Sequence, residues 1–152
     1  MRIKIFQNDV SVLEPVFRRW EDECKGIPMG IDLDLSTYLA DLQKLVDDSN
    51  SDLFVLWDND IPVGYMGLRT FDSPLGRQLV ATDHYWYVIP EKRGVSALKF
   101  LPLAERWARA NGCSHLMMSA SMLASDLHDR TCKLYEKFGM EKFETTYIKR
   151  VK

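Results

Sequence analysis

Long hydrophobic runs are missing from this 152-residue chain. No apolar stretch approaches the ~20 residues that cross a bilayer. Residues 1–10 carry Arg2 and Lys4 where a secretory signal needs an uninterrupted apolar segment, so the expectation is a cytoplasmic protein with no membrane partner. Cysteine is scarce as well. Cys24, Cys113 and Cys132 are odd in number, widely spaced and form no CxxC, which argues against a disulfide framework or a zinc knuckle and leaves free thiols. Neither sign of charge dominates: 20 basic against 22 acidic residues give a net charge of -2, too little to draw the chain onto nucleic acid or anionic lipid. Only 8 glycines and 6 prolines are present, which excludes long flexible tracts and leaves a composition that folds throughout.

What is there is one domain's worth of alternating helix and strand patterns. Residues 2–6 alternate as a short edge strand. Residues 10–24 place Val10, Leu13, Val16, Phe17 and Trp20 at helical spacing behind Asn8 or Asp9 as cap. A turn rich in Gly26, Pro28 and Gly30 leads to a second helix over 36–48, carried by Leu39, Leu42 and Leu45. Residues 53–57 and 62–71, joined at Asp58-Asn59-Asp60, read as a hairpin, and 78–89 is a long strand that must stop at Pro90. A helix over 96–110 follows, in which Pro102 removes an amide donor and predicts a kink near Leu98 or an irregular start. Residues 114–120 read as a buried strand, 127–138 as a helix stopped by Gly139, and 142–151 as a last strand.

The junction between the long strand and the next helix carries the chemistry. A strand that runs through a short loop into a helix gathers unbonded backbone N–H groups and the positive end of the helix dipole, and such a point binds phosphate. In Lys92-Arg93-Gly94-Val95-Ser96-Ala97 the loop adds two cations, while Gly94 and the small residues Ser96 and Ala97 allow close approach to the backbone. A plain strand-to-helix connection with solvated Lys and Arg explains the loop equally well. Neither GxxxxGK[ST] nor GxGxxG occurs, so nucleotide hydrolysis and hydride transfer are poor readings.

Three runs in register raise the specificity: YVIPEKRG at 87–94, WARANGC at 107–113 and LYEKFGM at 134–140. In these the sequence resembles the GNAT superfamily of N-acetyltransferases. That family carries a strand ending in V-x-P, a loop [RQ]-x-x-G-x-[GA], a helix ending near Gly-Cys, and a later L-Y-x-x-x-G-[FM]. The likeness spans roughly 53–150. It implies an α/β (α+β) fold of three layers, with a mostly antiparallel mixed sheet of about six to seven strands flanked by four helices. It also implies acetyl-CoA as donor, an amine acceptor (small molecule or protein), and no metal. Lys92 takes the loop's first basic place and Ala97 its last small one. Val95 stands where a glycine is usual, so either Gly94 takes over that turn by a one-residue shift or the grip on phosphate is looser.

The resemblance assigns further roles. A backbone N–H near Val88 would stabilise the oxyanion, and the strand end Tyr87, Val88, Ile89 would pair with the pantetheine amides. Tyr135 would protonate the leaving thiolate, although it also falls on the apolar face with Leu127, Thr131, Leu134 and Phe138, where a core tyrosine is ordinary. His84 lies four residues before Val88 and would take the acceptor's proton, with Asp83 behind it; a packed strand histidine is the plainer alternative. By period-two alternation His84 shares a face with Thr82, Trp86 and Val88, and Asp83 with Tyr85 and Tyr87. His115 and His128 have no Cys pair near them, and no metal site is indicated. Glu21, Asp22, Glu23, Asp32 and Asp34 would favour a cationic amine if they lined a pocket, and are a solvated acidic surface otherwise; Trp20 and Met29 are core or pocket wall. Two alternatives to catalysis remain: a GNAT-fold module that binds coenzyme A or a protein without turnover, and an interaction domain with Tyr85, Trp86 and Tyr87 on its surface. A single last strand would leave an exposed edge, which a homodimer would cover.

Overall fold

The computed structural model describes residues 1–24, 30, 32–123 and 127–151. Its five strands, β1 (Arg2–Phe6), β2 (Ser51–Asp58), β3 (Ile61–Asp72), β4 (Leu79–Val88) and β5 (His115–Met117), form one sheet in chain order. Neighbours from β1 to β4 are antiparallel, and β5 runs parallel to β4. The β2–β3 hairpin turns at Asn59, whose φ of 54° suits its short polar side chain; Asp60 is not in that conformation.

The helices are α1 (Glu14–Cys24), α2 (Leu35–Asp47), α3 (Val95–Leu98), α4 (Phe100–Ala110) and α5 (His128–Lys137). The first expected helix is divided. A 3-10 turn over Val10–Leu13, capped by Asp9 accepting from the Ser11 amide, precedes α1, because Pro15 lacks an N–H and is tolerated only in a first turn. Asp34 caps α2 by accepting from the Thr37 amide at 2.7 Å and the Ser36 hydroxyl at 2.6 Å, and those bonds pull its carboxyl down to about 2. Pro102 has the expected effect. It offers no donor to the Leu98 carbonyl four residues earlier, and the helix breaks at Lys99 into α3 and α4.

Two cores make the three layers. On one face α1 and α2 bring Phe17, Tyr38, Leu42 and Leu45 against Leu53, Val55, Tyr65 and Tyr87; on the other, Ala97, Phe100 and Ala104 meet Leu56, Met66, Leu68 and Val88. Each such fully buried Phe or Leu contributes about 1.5–3 kcal/mol. The Tyr38 and Tyr65 hydroxyls bond to each other at 2.6 Å, which satisfies both inside the first core. Tyr85 and Tyr87 face this core and Trp86 the other, so three consecutive aromatics are placed without forming a common surface.

Two strand expectations are corrected. Among the described residues the sheet has five strands, not six to seven, because 142–151 forms no strand: Phe143 and Tyr147 are 69% and 89% exposed. Strand propensity at Thr145–Ile148 is not enough without an edge of comparable length to pair with, and β5 offers three residues. The strand expected over 114–120 shrinks to those three, and His115 is exposed rather than buried. Gly26, Pro28 and Met29 lie outside the described residues.

Candidate active site

β4 and β5 pair at only three positions, Val80↔His115, Ala81↔Leu116 and Thr82↔Met117, and then separate. From Asp83 to Val88, β4 keeps β3 on one side and has no strand on the other among the described residues. Ile89 donates its N–H to the Val63 carbonyl at 3.0 Å, so by antiparallel alternation Tyr85, Tyr87 and Ile89 direct their backbone groups to β3 while Trp86 and Val88 direct theirs to the open edge. The Val88 carbonyl already accepts from Arg93 Nε at 2.9 Å, which leaves the Val88 N–H toward the split. Of the expected trio, then, Val88 alone offers backbone to a ligand there. Tyr87 faces β3, and the Ile89 carbonyl is taken by the Lys92 N–H.

The faces of β4 differ from simple alternation. Gly67 pairs with Tyr85 and Leu68 with Asp83, so His84 is an extra residue in a bulge. It therefore does not share a face with Trp86 and Val88. His84 and Tyr85 both turn to α2, where His84 Nε2 lies 2.5 Å and the Tyr85 hydroxyl 2.8 Å from Asp41 Oδ2. Partial burial pushes the Asp41 carboxyl up, but the hydrogen bonds from His84 and Tyr85 outweigh it and hold the group below the usual carboxylate range.

Asp83 and Tyr135 meet on the other face. The Ser119 amide donates to Asp83 Oδ1 at 2.9 Å, and the Tyr135 hydroxyl donates to the Ser119 carbonyl at 2.9 Å, so the backbone of one residue beyond β5 is held through both its N–H and its carbonyl. Burial raises the Asp83 carboxyl to about 6 and pushes the Tyr135 phenol well above its ordinary value, with the Asp83 charge adding to the second effect. Tyr135 stacks on Trp86 with ring centroids 6.1 Å apart. It is buried, as its place on the apolar face of α5 required, and its hydroxyl has a partner in the resting structure.

The loop between β4 and α3 resolves the alternatives at Val95. Gly94 adopts φ 141°, a conformation open to glycine and hardly to other residues, and Val95 begins α3 with its side chain 77% exposed. Gly94 has taken over the turn. The first amide of α3 to bond is that of Leu98, to the Gly94 carbonyl, so the amides of Val95, Ser96 and Ala97 have no backbone acceptor in the helix. The two cations are not free: Lys92 Nζ sits 2.6 Å from Asp58 Oδ2, and Arg93 Nη2 lies 2.6 Å from Glu23 Oε2, which also accepts from the Tyr87 hydroxyl at 2.6 Å. Arg19 of α1 pairs with Glu91 of the same loop.

The acidic group is largely committed to structure. Glu21 pairs with Arg18, Glu23 with Arg93, and Asp34 caps α2, while Asp32 is exposed. Trp20 stacks on Tyr38 and belongs to the core wall. His128 approaches Cys132 one turn on, at 3.7 Å, yet among the described residues no three His, Cys, Asp or Glu side chains are placed to hold a metal. No helix of the described residues is long and apolar enough to cross a membrane.

Residues 15–140 match the acetyltransferase (GNAT) family model. The chain belongs to that family. This GNAT chain is similar over its whole length to a solved structure described as a probable acetyltransferase, with 20% identity, a TM-score of 0.74, and coverage of 100% of this chain and 99% of the other. It is also similar to ribosomal-protein-alanine N-acetyltransferase from Brucella melitensis biovar Abortus 2308, at 16% identity, a TM-score of 0.70 and 99% of both chains. An aminoglycoside 6'-N-acetyltransferase from Acinetobacter haemolyticus shows 14% identity, a TM-score of 0.67, and coverage of 100% and 99%. At these identities the likeness is one of fold. No curated protein matches the sequence.

Asp41 and Ser119 were missed by the sequence reading. Asp41 had a signal: it lies between Tyr38 and Leu45 on the sheet-facing stripe of α2, where a carboxylate requires a partner.

Proposed function

We propose that this GNAT protein transfers an acetyl group from acetyl-CoA to a primary amine, on a small molecule or a protein, within a ternary complex. The observation that carries the reading is the split between β4 and β5 with the Val88 N–H directed into it. A thioester carbonyl placed there would meet a fixed donor as its oxygen gains charge. The donor's pantetheine would run along the open edge of β4 past Trp86 and Val88, and its pyrophosphate would lie at the amides of residues 95–97.

In the reaction a neutral amine nitrogen attacks the thioester carbon, and the C–N bond forms as the C=O becomes an oxyanion. The oxyanion collapses, the C–S bond breaks, and the thiolate takes a proton from Tyr135. The ammonium proton of the acceptor passes to His84. Tyr135 must first exchange its bond to the Ser119 carbonyl for one to the sulfur.

A second reading, a module that binds coenzyme A without turnover, is favoured by the engaged Tyr135 hydroxyl. Isothermal titration with acetyl-CoA, coenzyme A and desulfo-CoA tests donor binding, which both readings require. The transferase is supported when the bound donor then releases thiol in proportion to added amine. Failure of all three donors to bind removes both.

A further inference from the structure

We propose that Asp41, on α2, is a positioning residue that fixes His84 in the tautomer with hydrogen on Nε2, making Nδ1 the atom that accepts the acceptor's proton. The inference rests on the reading of His84 as base, and adds which ring nitrogen works and what holds it.

The bulge creates the arrangement. By adding a residue opposite the Gly67/Leu68 step of β3, it turns His84 and Tyr85 to the same side, and both then reach a single oxygen of Asp41 at 2.5 and 2.8 Å. An ionised carboxylate can only accept, so the nitrogen facing it must carry the hydrogen. The carboxyl lies below its usual range because of these bonds, and it is ionised at neutral pH. Tyr85 donates to the same oxygen and packs edge-on to the imidazole at 4.5 Å between centroids, so the ring has little freedom to turn over. Nε2 is thereby committed, and Nδ1 is left as the basic lone pair.

The surroundings give a proton somewhere to go. A cavity of about 90 Å³ lined by His84, Asp41, Lys44, Asp48, Ser51 and Arg69 opens beside the ring, a volume with room for water. Without the carboxylate the neutral ring would divide between two tautomers and two orientations, and only a fraction would keep Nδ1 as the base. An orienting partner on the second nitrogen is the general means by which a histidine is held in one role.

Long-range proton–nitrogen NMR of the imidazole side chains tests this directly. The chain has only 3 histidines, and His84→Gln assigns the signal. Above pH 8 the wild type is expected to show His84 with hydrogen on Nε2, and Asp41→Ala to show a tautomer mixture. Asp41→Asn, whose side-chain oxygen can still accept, keeps the fold and retains most of the Nε2–H form. In parallel kcat falls about tenfold or more in Asp41→Ala and less in Asp41→Asn, with KM for acetyl-CoA unchanged. An unchanged tautomer in Asp41→Ala overturns the proposal, and so does a mixed tautomer with unchanged kcat, which makes the contact structural only. If His84→Gln itself leaves kcat intact, the base assignment fails independently of what Asp41 does to the ring.

Discussion

Arg93 Nη2 lies 2.6 Å from Glu23 Oε2, although the two residues are 70 positions apart in the chain. The same guanidinium places Nε on the Val88 carbonyl and lies over the Tyr87 ring at 5.5 Å. Arg93 is therefore a strut between the end of α1 and the end of β4. Glu23→Gln should cost about 1–3 kcal/mol in urea unfolding, since two charge-assisted or phenolic bonds converge on that half-buried oxygen. It should also weaken coenzyme A binding through the shifted strand end. Unchanged stability would show that the contact is dispensable.

Lys92 leads to the opposite expectation. It is held by Asp58, whose carboxyl the Lys92 hydrogen bond and charge pull down. Asp58→Asn should free the ammonium for the donor's phosphates and tighten coenzyme A binding severalfold, an effect that shrinks at high salt. Calorimetric titration at two salt concentrations measures it. Weaker binding in the variant would place Lys92 away from the phosphates.

Gly94 and Gly64 constrain the site in different ways. At Gly94 a Cβ would meet nothing within 4 Å, so the penalty of Gly94→Ala is conformational, about 1–3 kcal/mol for leaving a backbone region that belongs to glycine. At Gly64 a Cβ would stand 2.7 Å from the Tyr87 carbonyl oxygen and 2.9 Å from Val88 Cα, which forces β3 and β4 apart beside the Val88 N–H. Gly64→Ala should lower kcat more than it raises KM for acetyl-CoA, while Gly94→Ala should act chiefly on donor affinity. Steady-state kinetics with the donor varied separates the two, and identical patterns would contradict the assignment.

Asp83 predicts a pH dependence of stability. Burial keeps its folded carboxyl protonated up to about pH 6, against about 3.8 when unfolded. The folded state therefore binds the extra proton between these values, and stability from this group is complete below pH 4 and lost as pH rises through 6, on the order of 3 kcal/mol. Asp83→Asn, which can still accept from the Ser119 amide, should match the wild type near pH 4 and exceed it above pH 7 in urea unfolding. A constant difference across that range would show that Asp83 is not desolvated.

Much of this was legible in the sequence because it is written locally. Asp9 as cap, Pro90 at the strand end and Pro102 in the helix each act within a few residues, and the elements they bound lie within one or two positions of expectation. The GNAT runs likewise give the strand end, the loop and the Tyr135 helix in their chain order. What was not legible depends on distant partners. The bulge at His84 is set by the register of β3, and nothing in the run 82–88 announces it; missing it put His84 on the wrong face. The engagement of Lys92 and Arg93 depends on Asp58 and Glu23 in other elements. The last expected strand failed for a related reason, since propensity at 142–151 says nothing about whether an edge lies beside it.

The most direct test of the central claim is release of free thiol from acetyl-CoA by the purified protein against a panel of primary amines, with wild type and Tyr135→Phe side by side. The wild type is expected to release thiol in proportion to amine, and the variant to lose about tenfold or more in kcat without loss of donor binding. Tight binding of acetyl-CoA with no amine-dependent release from any member of the panel would contradict it, and would leave a donor-binding module in place of an enzyme.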